Sequence, residues 1–221
     1  IEVYQDQKYY LLKKNVKIDS DIFNLNADNV KIIFDKNLYD IIELDASGNV
    51  VFDSSVYNVR GSGEFLNFKI KFEELTITGF KSELFTDDFE MYSDGSIKIG
   101  NINGNFIIKG ANSSLVNESI FIKAEFIDGF FDTIDGQKQI ASLFVEDKEI
   151  SYVKNTSSEM YAKKINFDNS SSLIELKENV TIIRGGEKIT GDYGTLDTKN
   201  NSYKIKSDAK TKVKAIIQNN E

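Results

Sequence analysis

The sequence predicts an all-β protein, an antiparallel stack of the sandwich, barrel or jelly-roll kind. Three observations carry that expectation. Short alternations of apolar and polar residues recur along nearly the whole chain. Clusters of Asp, Asn, Ser and Gly separate them at intervals of roughly 8–12 residues. One unit of sequence also returns, and a returning unit is read before anything else. Its fullest copy is Leu173 to Ser207, which reads as strand, tight turn, strand, turn, strand. There Ile174-Glu175-Leu176 is followed by Asn179-Val180. Residues 41–52 repeat the Ile-Glu-Leu and then Asn49-Val50, and residues 11–18 repeat Asn15-Val16 at an expected strand start. The preceding segment recurs too, as Ala27 to Asp35 in one copy and Ala162 to Asp168 in another.

Taken in order, Ile1 to Tyr4 alternates as a short first strand. Lys8 to Ile18 is a second, interrupted at Lys13-Lys14, and Asp19-Ser20-Asp21 turns the chain. From Ile22 to Ala27 apolar and polar residues alternate, and Val30 to Phe34 is strongly β-prone. Ile41–Leu44 and Asn49–Phe52 flank Ser47-Gly48, which together predict a hairpin. Further turns are expected at Asp53-Ser54-Ser55, Ser93-Asp94-Gly95, Asn103-Gly104-Asn105, Gly110-Ala111-Asn112, Asp128-Gly129 and Asp135-Gly136. Gln137 to Ile150 fits a helical period at Ile140, Leu143, Phe144 and Asp147, but also a strand with a bulge, and is assigned to strand. Lys212 to Ile217 is the last strand. No Gly/Ser linker or charge run divides the chain, so residues 1–221 are expected to form one domain, with 57–150 as extra strands in the same stack.

Composition narrows function mainly by what it lacks. The 221 residues contain no His and no Cys. A Ser-His-Asp triad, a Cys-His pair, a disulfide and ordinary zinc ligation are therefore all excluded. A net charge of -8 argues against a nucleic-acid partner. No stretch approaches the ~18 consecutive apolar residues of a membrane helix. The chain shows no leader at Ile1, as in a cytosolic protein or an exported one numbered from its mature end.

Few residue constellations rise above a structural explanation. Glu73-Glu74 and Asp87-Asp88 are carboxylate pairs, but neighbours on a strand point to opposite faces, so neither pair serves one cleft. Asp132, Asp135 and Gly136 lack the remaining spacing of a calcium loop. Arg184-Gly185-Gly186 lacks the strand-to-helix setting of a phosphate loop and reads as a hairpin turn. Ten phenylalanines are more informative as a set: Phe52, Phe65, Phe68, Phe72, Phe106, Phe121, Phe126, Phe130, Phe131 and Phe167. Ordinary core filling explains any one of them. Spread over so many strands, they also fit a sheet structure enclosing a lipid-lined groove.

The repeat residues carry a family likeness. Ile1-Glu2-Val3-Tyr4 resembles the P-I-x-I-x-A-D opening of the OstA-like (LptA) periplasmic lipopolysaccharide-transport proteins. Asn15-Val16, Ser47-Gly48-Asn49-Val50 and Glu178-Asn179-Val180 resemble their G-N-V strands, with Lys14 and Glu178 in place of glycine in the first and last copies. Leu25 to Val30 is similar to their I-x-A-D-x-V, Ile189 to Gly194 to their I-x-G-D, and Lys212 to Ile217 to their terminal R-V-x-x-x-I strand. The likeness covers roughly residues 1–56 and 151–217, and residues 57–150 match it poorly.

The resemblance implies a V-shaped antiparallel jelly roll, open along one side and at both ends, in the periplasm and without enzyme activity. It implies that lipopolysaccharide acyl chains sit inside the fold with the sugars outside. Its implied partners are lipopolysaccharide, an LptC-like inner-membrane protein, an LptD-like outer-membrane protein and further copies of itself, joined edge to edge. The resemblance implies as lipid-facing residues Ile1 and Phe167 by motif position, Phe52 by approximate alignment, and Val16, Ile18, Val180 and Ile182 by inward alternation. No metal and no cofactor is expected. An LptC-like role with its anchor trimmed away is a close variant. The rival from another class is a surface β-solenoid, an adhesin or polysaccharide-binding module. Its coils would repeat at about 20–25 residues, whereas Asn15 and Asn49 are 34 apart.

Overall fold

The computed structural model describes residues 1–134, 136–200, 202–208 and 212–217. Every strand pairing given below is antiparallel, and among the described residues the only helices are two three-residue 3-10 turns. The all-β antiparallel class is therefore as expected. The chain divides into two compact units, Ile1–Gly110 and Ala111–Glu221.

The first unit contains β1 (Glu2–Tyr4), β2 (Tyr9–Asp19), β3 (Asn24–Phe34), β4 (Ile41–Ser54) and β5 (Val59–Lys69), followed by β6 (Glu74–Thr78), β7 (Ser82–Thr86), β8 (Glu90–Ser93), β9 (Ser96–Gly100) and β10 (Asn105–Lys109). Strands β1 to β5 pair in succession. β5 then pairs along one half with β6 and along the other with β7. β6 continues to β9 and β10, and β7 to β8.

The reason for this split lies in the repeat. Lys14 and Asn15 have φ of 70° and 52°, and Gly48 and Asn49 of 76° and 49°. Each pair is an extra residue in the ladder, and both stand opposite the single residue Asp28 of β3. Such bulges bend a strand and increase its local twist. Asn tolerates the left-handed region better than other non-glycine residues, which explains its place in the motif.

The Asn-Val of each copy is thus not a strand start, and Ser47-Gly48 is not a hairpin. It is a bend inside the fourteen-residue β4. A tight turn would need the two halves of β4 to pair with each other, whereas both halves pair with β3 and β5. Two-layered packing follows. An inner row Ile18–Leu25–Phe52–Gly61–Leu84–Met91 lies on one side of the bend. On the other side runs Leu12–Val30–Ala46–Leu66–Ile77–Ile97–Ile108.

The second unit repeats the device. It contains β11 (Ser114–Val116), β12 (Ile120–Lys123), β13 (Phe126–Ile134), β14 (Gln137–Asn155), β15 (Glu159–Asp168), β16 (Leu173–Arg184), β17 (Glu187–Asp197), β18 (Ser202–Lys206) and β19 (Lys214–Ile217). The ladder of β14, β15, β16 and β17 is bent where Glu178 and Asn179 (φ 65° and 58°) oppose Tyr193's neighbour Asp192 and, on the other side, the Ala162–Lys163 step. One inner row is Ile122–Val153–Met160–Ile182–Ile189–Ala215. The other is Ile127–Val145–Ile165–Leu176–Gly194–Ile205.

Gln137 to Ile150 is strand, as assigned, and runs on to Asn155 with a register break after Glu146. Asp128-Gly129 is not a turn: both lie inside β13, paired with Phe144 and Leu143. Counted from the bulge, Leu44 corresponds to Ile174, so the two Ile-Glu-Leu triplets sit two positions apart on equivalent strands. A shift of two keeps every side chain on its face, so the sequence match survives the displacement.

Several turns close on side-chain oxygens, which accept from backbone amides two and three residues on. Asn117 Oδ1 accepts from the amides of Ser119 and Ile120, Asn155 Oδ1 from those of Ser157 and Ser158, and Asp197 Oδ1 from those of Lys199 and Asn200.

Candidate functional site

Within the first unit the two layers meet through aromatic rings. Phe23, in the turn before β3, stacks on Phe52 at 5.5 Å and meets Phe68 edge-on at 5.7 Å, and Tyr57 meets Phe68 at 5.8 Å. Ile77 lies across the backbone of Gly61 and Gly63. A Cβ at either glycine would fall 2.3 Å and 2.5 Å from its terminal carbons. Only glycine leaves room for that close approach. In the second unit Val180, Leu176 and Ile182 converge on Gly194 less closely, at 3.1, 3.3 and 3.8 Å from where a Cβ would sit.

The expected lipid-facing residues fall into two groups. Ile18 and Phe52 share one inner row, with Leu25 between them, and Val16 lies next to Ile18 on the same face. Val180 and Ile182 sit on one inner face of β16, and Phe167 occupies the row Gly129–Leu143–Phe167–Ile174–Leu196. Phe52, at 1% exposure, Val180 and Ile182 are sealed in packed interior, while Ile18 and Phe167 are half-buried. Ile1 stands apart, 91% exposed ahead of β1, and faces no interior.

The inner rows open at strand edges. In the second unit burial declines outward from Ile182 through half-buried Ile189 to exposed Ala215 on β19. In the first it declines from Leu25 to half-buried Ile18 on β2. Beyond Leu11, β2 has no partner on its outer side among the described residues, and β18 and β19 pair only with β17.

On the opposite, outer face each unit carries a shallow groove. In the first, of about 400 Å³, Phe65 is flanked by Leu11, Lys31, Asp45, Asn67 and Thr76. In the second, of about 430 Å³, Phe130, Phe144 and Leu173 are flanked by Asp128, Asn166 and Glu175. Phe65 and Phe130 are about half exposed, at 53% and 49%. Sequence reading placed both among possible interior aromatics. One sign of this was legible: Phe65 and Phe68 are three apart and Phe130 and Phe131 adjacent, so a strand puts the members of each pair on opposite faces, without saying which of the two faces outward.

The charges also lie on the outer face. Glu74 receives Lys98 at 2.7 Å and Lys69 at 3.2 Å, and the Lys98 hydrogen bond holds its carboxyl below the usual range against the opposing effect of burial. Tyr92 donates to Glu90 at 2.7 Å, and this bond, with burial, pushes its hydroxyl up to about 12. Among the described residues no group of three or more acidic side chains is placed to hold a metal ion. Asp135 of the calcium-loop comparison lies outside the described residues. No described helix is long and apolar enough to cross a membrane.

This geometry defines a class: a twice-built, folded-over antiparallel sheet whose interior is apolar and whose edges are open. No family model and no curated protein matches the chain. Among solved structures it is similar to LptH of Pseudomonas aeruginosa, described as the LptA-homologous periplasmic component of the conserved lipopolysaccharide transport device. The match covers 59% of this chain and 95% of that one, at 12% identity and a TM-score of 0.47. At that identity the likeness is one of fold alone.

Proposed function

We propose that this chain is a non-enzymatic carrier of lipopolysaccharide, one segment of a periplasmic bridge from inner to outer membrane. The observation that supports it is the run of inner apolar rows out to unpaired edges at β2 and at β18–β19. A partner sheet added there extends the backbone ladder and the apolar interior in one step. Acyl chains enter between the two layers and exchange side-chain packing for chain packing. Each buried methylene contributes about 0.8 kcal/mol. The partners in this reading are LptC-like and LptD-like proteins and further copies of the chain.

The test is photo-crosslinking. A crosslinker at Phe52 or Phe167, on the inner face, is expected to capture lipopolysaccharide or lipid A. One at Thr181, in the outer row with Tyr161 and Thr190, is expected not to. Equal labelling at all three positions would mean micelle contact and would remove the reading.

A further inference from the structure

The outer face of a half-buried sheet is ordinarily polar and flat, yet both units are hollowed there around exposed phenylalanine. The two hollows share a part of the repeat. Counted from the bulges, Lys31 and Asp45 of β3 and β4 correspond to Asn166 and Glu175 of β15 and β16. In each, an apolar side chain from the preceding strand, Leu11 or Phe144, continues the row.

The lining selects a ligand chemistry. Carboxylates and amides beside a ring face accept hydroxyl hydrogens while the ring takes the C–H face of a saturated ring. The second groove is lined by three carboxylates, Asp128, Asp168 and Glu175, and by no cation, which disfavours a phosphate or any polyanion. In the first groove the cations are engaged elsewhere: Lys13 binds Glu2 at 2.8 Å and Lys31 lies 4.7 Å over the Tyr9 ring. Asp45 accepts from Asn67 at 2.8 Å, and a carboxylate with about four lone-pair sites keeps capacity for more. A long alkyl chain would leave these groups dehydrated and unpaired.

We propose that each unit bears an outer-face site for a neutral oligosaccharide, with Phe65 in the first and Phe130 in the second as the surfaces on which a pyranose ring lies. This does not depend on the carrier reading, which concerns the opposite face of the same sheets.

Saturation-transfer NMR of the full chain with maltoheptaose, chitohexaose and laminarihexaose tests it. At least one glycan is expected to receive saturation at its ring C–H protons. Affinity is expected to fall about ten-fold in Phe65→Ala/Phe130→Ala, the loss of good ring contacts. Both side chains are half exposed, so the fold is retained, and circular dichroism of the variant checks this. Phe72→Ala, exposed in a 3-10 turn outside either groove, is expected to bind as the parent does. No transfer to any of the three glycans at millimolar concentration, or undiminished transfer in the double variant, overturns the proposal.

Discussion

The rings of Phe52 and Phe68 lie 5.4 Å apart, although their places on the ladder are far from each other. Phe52 on β4 faces Gly61, and Phe68 on β5 faces Leu44, eight residues back along β4. In a straight ladder eight residues span roughly 26 Å. The rings meet because the bulge at Gly48-Asn49 folds the sheet over on itself, so the interior is made by one set of strands twice.

That fold depends on Gly48. Its φ is +76°, and a Cβ there would lie 2.3 Å from Oδ2 of Asp28, the oxygen that accepts from Asn49 Nδ2 at 3.0 Å. Gly48→Ala is expected to cost at least about 1–2 kcal/mol. Glu178 holds the equivalent place at φ +65°, against Lys163 at 3.8 Å, an exposed pair of little worth. Glu178→Gly is expected to stabilise by about 0.5–1 kcal/mol, the relief of αL strain less the added chain entropy. Urea unfolding measures both, and a Gly48→Ala chain as stable as the parent or a Glu178→Gly chain less stable than it would show that the bulge is not where strain resides.

Gly61 and Ile77 are expected to be coupled. Gly61→Ala drives a Cβ toward the Ile77 Cδ1 and should destabilise, while Ile77→Val alone costs about 0.5–1.5 kcal/mol. Together they should cost less than their sum by at least about 0.5 kcal/mol, since the valine lacks the clashing carbon. Simple additivity in a double-mutant cycle would contradict the close packing of the layers.

Glu74 gives a pH dependence of known sign. Its carboxyl is depressed in the folded state, chiefly by Lys98, so its stabilisation is present above the unfolded carboxylate value. It is lost as pH falls through the lower folded value. Glu74→Gln should therefore be less stable than the parent at neutral pH and equal to it once the Glu74 carboxyl of the parent is protonated in both the folded and the unfolded state. A gap that persists at low pH would place the effect in packing instead.

Removal of residues 212–221 is expected to abolish head-to-tail association while leaving the fold intact. Residues 218–221 of that stretch lie outside the described residues. β19 contributes four pairings to β17 and exposes Ala215 and Ile216. Sedimentation velocity over a concentration series reads the outcome. A full-length chain that stays monomeric at every concentration and ignores an LptC-like partner would remove the bridge reading's main physical support.

Much of this protein is written locally. The all-β class, the hairpin at Arg184-Gly185-Gly186 and the long strand from Gln137 follow from alternation and turn chemistry, which act between near neighbours. The repeat was visible as Asn15, Asn49 and Asn179, and so were the alternating inner faces that hold Ile18, Val180 and Ile182. Its meaning was misread at Ser47-Gly48, because a two-residue turn and a two-residue bulge ask for the same residues with positive φ.

What only the tertiary structure decided is where those bends lead. Whether Gly48 reverses the chain or folds the sheet depends on which strands pair with each half of β4, and those partners lie up to 29 residues away in sequence order, as for Asn24 with Asp53. The exposure of Ile1, the sealing of Phe52 and the outward aim of Phe65 and Phe130 follow from the same pairing. By itself the sequence determined the period of each strand and the residues able to bend it. The choice of face and of partner is set by burial of apolar rows brought together from distant strands, an energy that exists only once the layers have met.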